Sequence, residues 1–100
     1  MSEKMIENNK VSVIGKIVSG FTFSHEVFGE GFYMVDLEVN RRSEQADIIP
    51  LMISERLIKV EEDYRGCTVE AVGQFRSYNR HEEEKNKLVL SVFVREIHFM

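Results

Sequence analysis

The sequence of 100 residues contains one cysteine, one proline and no tryptophan. Because a single cysteine, Cys67, cannot form an internal disulfide framework, it is typical of a protein kept in a reducing compartment, and we expect a cytoplasmic location. No apolar run approaches the ~20 residues that a membrane-spanning helix needs. The first ten residues also lack the basic and then apolar order of a secretory signal, so we expect no membrane partner.

Residue patterns that enzymes and metal sites require are also missing. The three histidines, His25, His81 and His98, share no metal-ligand spacing. Cys67 has no second cysteine with which to hold zinc. The segment Gly29–Gly31 has neither the length nor the lysine of a phosphate-binding loop. The sequence therefore predicts a binding protein, with no catalytic residues, no metal and no cofactor.

The charge distribution is uneven. The formal net charge is −4, which speaks against nucleic-acid binding because such proteins usually present a basic surface. However, the position of the charges matters more than their sum. Acidic residues crowd residues 55–63 and 82–84, whereas arginines and lysines cluster at 41–42 and 76–87. If the basic groups gather on one face, an acidic protein still has a basic groove.

The hydrophobic pattern predicts strands and one short helix in a single domain, residues 1–100. Residues 32–42 alternate apolar and polar side chains, which is typical of a half-buried strand. Strands are predicted at residues 10–18, 32–42, 46–53, about 67–79 and 87–99, with turns or loops at 24–31, 43–45 and 80–86. Ser54 is a candidate helix N-cap, and the helix is expected from Glu55 to about Tyr64, before Gly66. Pro50 suggests an edge or a bulge.

Five strands with a helix between the third and fourth are the layout of an OB-fold, an all-β Greek-key barrel. Gly15 and Gly73 suit this layout, because strands that bend sharply to close a small barrel often carry glycine at the bend. The sequence thus predicts a five-stranded OB-fold barrel with one short helix.

Three stretches resemble the bacterial single-stranded DNA-binding protein (SSB) family, and the resemblance covers most of residues 9–97. They are Asn9–Lys16 (NKVSVIGK), Val35–Arg41 (VDLEVNR) with Ala46–Leu51 (ADIIPL), and Tyr64–Gly66 with Gly73–Tyr78 (GQFRSY). The resemblance implies sequence-tolerant binding of single-stranded DNA in replication, repair or recombination. It also implies self-association into dimers or tetramers and replication proteins as partners.

The chain departs from that family at three places. The family often has an aromatic residue where this chain has Ser54, and residues 19–32, rich in phenylalanine, are unlike the usual connection. Family members typically continue into a glycine-rich linker and an acidic tip that recruits partners, whereas this chain stops at Met100. We expect it either to be truncated or to lack that recruiting function. The related primosomal replication protein N also lacks such a tail and is a near relative to consider.

Single-strand binding requires cations that follow the phosphates and aromatic faces on which bases stack. Phosphate contacts are expected from four arginines, Arg41, Arg42, Arg76 and Arg80. Base stacking is expected from three aromatic residues, Tyr78, Phe28 and Phe32.

Each of these interpretations has an alternative. A tyrosine on a strand commonly packs into the protein, and Arg41 and Arg42 also suit a solvated strand end that discourages edge pairing. The phenylalanines of residues 21–32 suit a hydrophobic patch under a loop or a subunit interface. A second functional hypothesis follows, in which this segment binds a protein partner and nucleic-acid binding is weak or absent. Salt distinguishes the two, because phosphate contacts weaken steeply as salt rises.

Overall fold

In the computed structural model, which describes residues 9–41, 44–82 and 85–100, the chain forms six β-strands. They are β1 (Val11–Ile17), β2 (Thr22–Val27), β3 (Glu30–Asn40), β4 (Ala46–Ser54), β5 (Thr68–Glu82) and β6 (Lys85–Phe99). The predicted all-β class is therefore confirmed, and each of the five predicted strands has a counterpart. No helix in the described part of the chain is long and apolar enough to cross a membrane.

The alternation of β3 separates an inner face from an outer one. Val35 and Leu37 are buried, with exposed fractions of 2% and 0%, whereas Phe32 and Met34 lie on the opposite face and are partly exposed. Alternate residues of the neighbouring strands join the same core because strand side chains point to opposite faces in turn. The largest fully buried side chains in the described part of the chain are Ile17, Leu37, Leu51, Ile53, Val69 and Val92.

The strands form one strongly curved sheet in the order β1-β5-β6-β4-β3-β2, and β1 also meets β3. All pairings are antiparallel except that of β4 with β6, which spans two residue pairs, Leu51–Val92 and Met52–Phe93. The β1–β3 contact likewise spans two pairs, so the barrel is not fully closed. The order of β1, β3, β4, β6 and β5 is that of a partly open OB-fold Greek key. Pro50 lies on β4 directly before the β4–β6 ladder, where a missing N–H costs no hydrogen bond to β6.

The helix predicted from Glu55 to about Tyr64 is wrong. Ser54 does cap a turn, since its Oγ accepts a hydrogen bond from the Arg56 N–H at 3.0 Å, but the described segment continues as separate turns rather than as a helix. A helix of about ten residues is marginal without strong packing. The run of acids at residues 61–63 would lie at its C-terminal end, where negative charge opposes the helix dipole.

The predicted loop at 24–31 is also wrong, because β2 and the start of β3 form a hairpin there. Its tip is a tight turn in which Phe28 and Gly29 both have positive φ, 50° and 82°. The predicted loop at 80–86 is largely strand as well, with Glu82 paired to Lys85. Polar composition does not end an antiparallel ladder, whose hydrogen bonds come from the backbone.

Gly15 and Gly73 lie where two strands approach closely. A Cβ on Gly73 would overlap the carbonyl oxygen of Phe93 and lie 2.8 Å from its carbonyl carbon. The register of β5 and β6 shifts between Val72 and Gly73, so this close approach coincides with a bulge. A Cβ on Gly15 would overlap the Glu38 carbonyl oxygen. Both glycines therefore permit the curvature that brings the strands of the barrel together.

Candidate nucleic-acid interface

A row of rings crosses the outer face of the sheet from β2 to β6. The His25 ring stacks on Phe32 with 5.0 Å between centroids and 7° between planes. Phe32 in turn packs against Phe93, with centroids 5.7 Å apart and planes tilted by 33°. The Arg76 guanidinium carbon lies 4.2 Å from the Phe93 centroid, and that of Arg95 lies 5.9 Å away. We call His25, Phe32 and Phe93 the aromatic row.

Strand register places this row. His25 pairs with Phe32 across β2 and β3 after a bulge at Ser24. Phe32 pairs with Ser54 on β4, and Phe93 lies between the buried residues Val92 and Val94 on β6, so its ring points outward. Since serine is small, it leaves space in which the rings on β3 and β6 meet. The residue that departs from the SSB pattern therefore permits two phenylalanines to form a platform next to it.

Two guanidinium groups end the row. Arg76 donates hydrogen bonds to the Gln74 side-chain oxygen at 3.0 and 3.2 Å, which holds it over Phe93. Arg76 and Arg95 are both exposed, and no described carboxylate forms a salt bridge with either. Arginine above an aromatic face combines a cation–π contact with hydrogen-bond donors for phosphate. Rings and cations therefore lie next to each other on this face, which is the combination that single-strand binding uses.

Two clefts adjoin the aromatic row on the outer face. The one beside it has a volume of about 260 Å³ and is lined by Glu30, Phe32, Ser54, Arg56, Leu57, Phe93, Val94 and Arg95. The other, about 510 Å³, is lined by Thr22, Phe23, Ser24, Met34, Asp36, Ile48, Pro50 and Val89. Together they run along β3 and β4, the strands whose faces commonly bind oligonucleotides in OB-folds, where they are the second and third.

The predicted phosphate ligands are dispersed. Arg76 lies over Phe93, at the end of the aromatic row. Arg41 instead forms an ion pair with Asp47, in which its guanidinium donates hydrogen bonds of 2.6 and 2.9 Å to the two carboxylate oxygens. The hydrogen bond from Arg41 lowers the pKa of the Asp47 carboxyl and raises the pKa of Arg41 in return. Arg42 lies outside the described residues. The backbone of Arg80 pairs with Lys87 on β6, and its side chain lies outside the described part.

The predicted stacking residues differ from one another. Phe32 lies in the aromatic row, whereas Phe28 is fully exposed at the tip of the β2–β3 hairpin. The backbone of Tyr78 pairs with Val89, and its side chain is outside the described part. The other two phenylalanines of the segment pack elsewhere: Phe21 lies edge-on to two tyrosines and Phe23 to one, with centroids 5.5–6.5 Å apart.

Three residues of this surface, Phe93, Arg95 and His25, are not among the site residues predicted from the sequence. Phe93 was detectable, because an aromatic residue at the outward position between two core valines is exposed by the strand alternation. His25 was not, since its position depends on a strand that was not predicted and on a bulge within it. Within the described ranges, no three His, Cys, Asp or Glu side chains are grouped to hold a metal ion.

Solved structures with this fold include proteins named for single-stranded DNA. One is the Plasmodium falciparum SSB complex with ssDNA, with a TM-score of 0.71, 15% identity, and coverage of 92% of this chain and 94% of that one. Another is the mitochondrial single-stranded DNA binding protein Rim1 from S. cerevisiae, with a TM-score of 0.69, 19% identity, and coverage of 91% and 93%. At these identities the likeness shows the OB-fold alone.

A more similar structure is the dimeric N-terminal domain of the PriB protein from Thermoanaerobacter tencongensis. It is 42% identical, has a TM-score of 0.77, and the match covers 93% of this chain and 97% of that chain. The chain therefore belongs to the PriB family within the SSB-like OB-fold class, which confirms the resemblance seen in the sequence. No protein-family model matches the chain, and no curated protein matches it.

Proposed function

We propose that this protein binds single-stranded DNA in replication, with roles in repair and recombination, through the outer face of β2, β3, β4 and β6. The observation that carries the proposal is the aromatic row ended by two guanidinium groups. It places the aromatic rings that stack on bases and the arginines that bind phosphate on one surface, as this function requires. The negative net charge of −4 does not oppose this function, because the arginines beside the aromatic row attract phosphate locally.

Bases stack on the aromatic row, and Arg76 and Arg95 contact the adjoining phosphates. Each stacked base contributes about 1–3 kcal/mol, so two or three platforms are sufficient for useful affinity. Since every base has a π face, this mode tolerates different sequences. Phe28 contacts the DNA from the tip of the β2–β3 hairpin. Further contacts come from Arg42, in the β3–β4 hairpin, and from Tyr78 and Arg80, in the β5–β6 hairpin.

The protein acts by stoichiometric coating of the strand and catalyses no reaction. Residues 1–100 form a single domain, and the protein works in the cytoplasm, where Cys67 stays reduced. We further propose a dimer, supported by the dimeric PriB domain, with replication proteins as partners. Linking two sites in one dimer raises the affinity for a strand that spans both. The adaptor hypothesis is not favoured by these relatives.

The test is fluorescence anisotropy of a labelled oligo-dT titrated with protein at low and moderate salt, with duplex DNA as the competitor. We expect tight single-strand binding that weakens with salt, and much weaker duplex binding. Phe93→Ala should weaken single-strand binding about 5- to 160-fold, the equivalent of one lost stacked base.

The matched control is Phe99→Ala, which removes a half-exposed ring from the same strand outside the aromatic row. It should bind as the wild type does. Absence of single-strand binding by the folded protein at low salt would refute the function. Equal losses in the two variants would refute the site while leaving the function intact.

A further inference from the structure

We propose, resting on the function above, that Glu30 and Ser54 contact the edge of the base stacked on Phe32 and Phe93. They favour a base with an exocyclic amino group, such as cytosine, over one with a carbonyl there, such as uracil or thymine. The protein thus tolerates many sequences but has a chemical preference at one position of the strand.

The geometry places a carboxylate at the edge of the platform. Glu30 precedes Phe32 by two residues on β3, so both side chains lie on the outer face about 6.6 Å apart along the strand. Both line the 260 Å³ cleft together with Ser54 and Phe93. A base centred on the rings therefore directs one edge toward Glu30, at about the distance of half a base plus a hydrogen bond of ~2.9 Å.

The carboxylate is held in place. Its oxygen accepts a hydrogen bond from Ser54 Oγ, and Ser54 is itself fixed because it accepts the Arg56 N–H. The Arg56 Nε lies 3.6 Å from the other carboxylate oxygen. The Glu30 side chain is 27% exposed but that of Arg56 is 75% exposed, so the acceptor is fixed while the nearby donor is free to move into solvent.

Among the polar groups that line the cleft, Glu30 and Ser54 are held as acceptors, whereas the donors, the guanidinium groups of Arg56 and Arg95, are exposed to solvent. The carboxylate only accepts hydrogen bonds, and the Ser54 hydroxyl hydrogen is already donated to it. An amino group at position 4 of a pyrimidine donates to such a group, whereas a carbonyl oxygen at that position faces a second acceptor. A carboxylate inside a phosphate-binding groove would otherwise weaken binding. Its fixed position beside the platform therefore favours a role in contacting bases.

The test compares two oligonucleotides of equal length, oligo-dC and oligo-dU, which differ at the 4-amino or 4-oxo group. Anisotropy at neutral pH and fixed salt gives the ratio of their dissociation constants. We expect the wild type to bind oligo-dC about three- to tenfold more tightly, the usual net scale of one hydrogen bond made in exchange for water. Glu30→Gln should bring the ratio close to one, because an amide both donates and accepts.

The matched control is Glu26→Gln, which removes the same charge from an exposed position on the same hairpin without lining the cleft. It should keep the wild-type ratio. Equal binding of both oligonucleotides by the wild type, or an unchanged ratio in Glu30→Gln, would overturn this proposal and leave single-strand binding intact. If neither the wild type nor the two variants bind either oligonucleotide, the proposed function is overturned, and this preference with it.

Discussion

Replacing Gly73 by alanine should destabilise the barrel and impair the aromatic row together. The added Cβ would overlap the Phe93 carbonyl oxygen, lie 2.8 Å from the Phe93 carbonyl carbon and 3.0 Å from the Val94 Cα. All three are backbone atoms, so no side-chain rotation relieves the clash. The bulge must open, and β6 must move away from β5 at Phe93, the ring at the β6 end of the row.

The expected cost follows from the steric overlap alone, because Gly73 is not among the described glycines with positive φ. Overpacking of a tight site costs about 1–3 kcal/mol, and a backbone clash lies at the upper end, about 3 kcal/mol. In a domain of this size, 1 kcal/mol lowers the melting temperature by about 4–8 °C. We therefore expect Gly73→Ala to melt about 12–24 °C lower than the wild type.

The assay is thermal unfolding followed by circular dichroism, combined with anisotropy on oligo-dT at a temperature where the variant is folded. The control is Gly20→Ala, since a Cβ on Gly20 meets no atom within 4 Å and its φ is not positive. It should melt within a few degrees of the wild type, because the alanine only restricts the unfolded chain. Equal melting of the two variants would refute the close approach of β5 and β6.

Three further outcomes are expected. Asp47→Asn releases Arg41 from its ion pair, so single-strand affinity at low salt should rise, and log Kd should depend on log salt more steeply by about 0.7, one phosphate contact; an unchanged slope would show that Arg41 does not reach the strand. Phe28→Asn should raise the melting temperature, because asparagine tolerates positive φ better than phenylalanine, and should weaken oligo-dT binding; unchanged binding would remove the hairpin tip from the interface. Hydrogen bonds from Arg65 lower the pKa of Asp63 to about 2, so its stabilising effect is complete above its ordinary pKa of 3.8 and is lost as the pH falls through about 2. NMR titration should find that low midpoint in the wild type and a higher midpoint, still below 3.8, in Arg65→Ala, because the backbone N–H of residue 65 continues to donate to Asp63.

The strands that could be predicted are those with one buried and one solvated face. In β3, the alternation of Val35 and Leu37 with polar neighbours reports burial directly. β2 gives no such pattern, because all six of its residues are exposed and it is held by pairing with β3 alone. The helix was predicted from Ser54 and its spacing. The serine does cap a turn, but the cap fixes only where a turn begins and not how long it continues.

The candidate site was only partly predictable, since it depends on contacts between distant residues. Arg76 and Phe32 were found from strand and charge patterns, yet their common partner, Phe93, is more than fifteen residues away from either. The pairing of Arg41 with Asp47 depends on the register of the β3–β4 hairpin, which composition does not fix.

The pairing between β4 and β6, here called the joint, is short, and this bears on how the stability of the barrel relates to the shape of the binding surface. Leu51–Val92 and Met52–Phe93 are its two residue pairs, and Pro50 provides no N–H with which to extend it. Beyond this joint, toward the hairpin tip, no pairing in the described part of the chain joins β5 or β6 to another strand. We therefore expect substitutions toward the hairpin tip to alter the length of the binding surface at little cost in folding free energy.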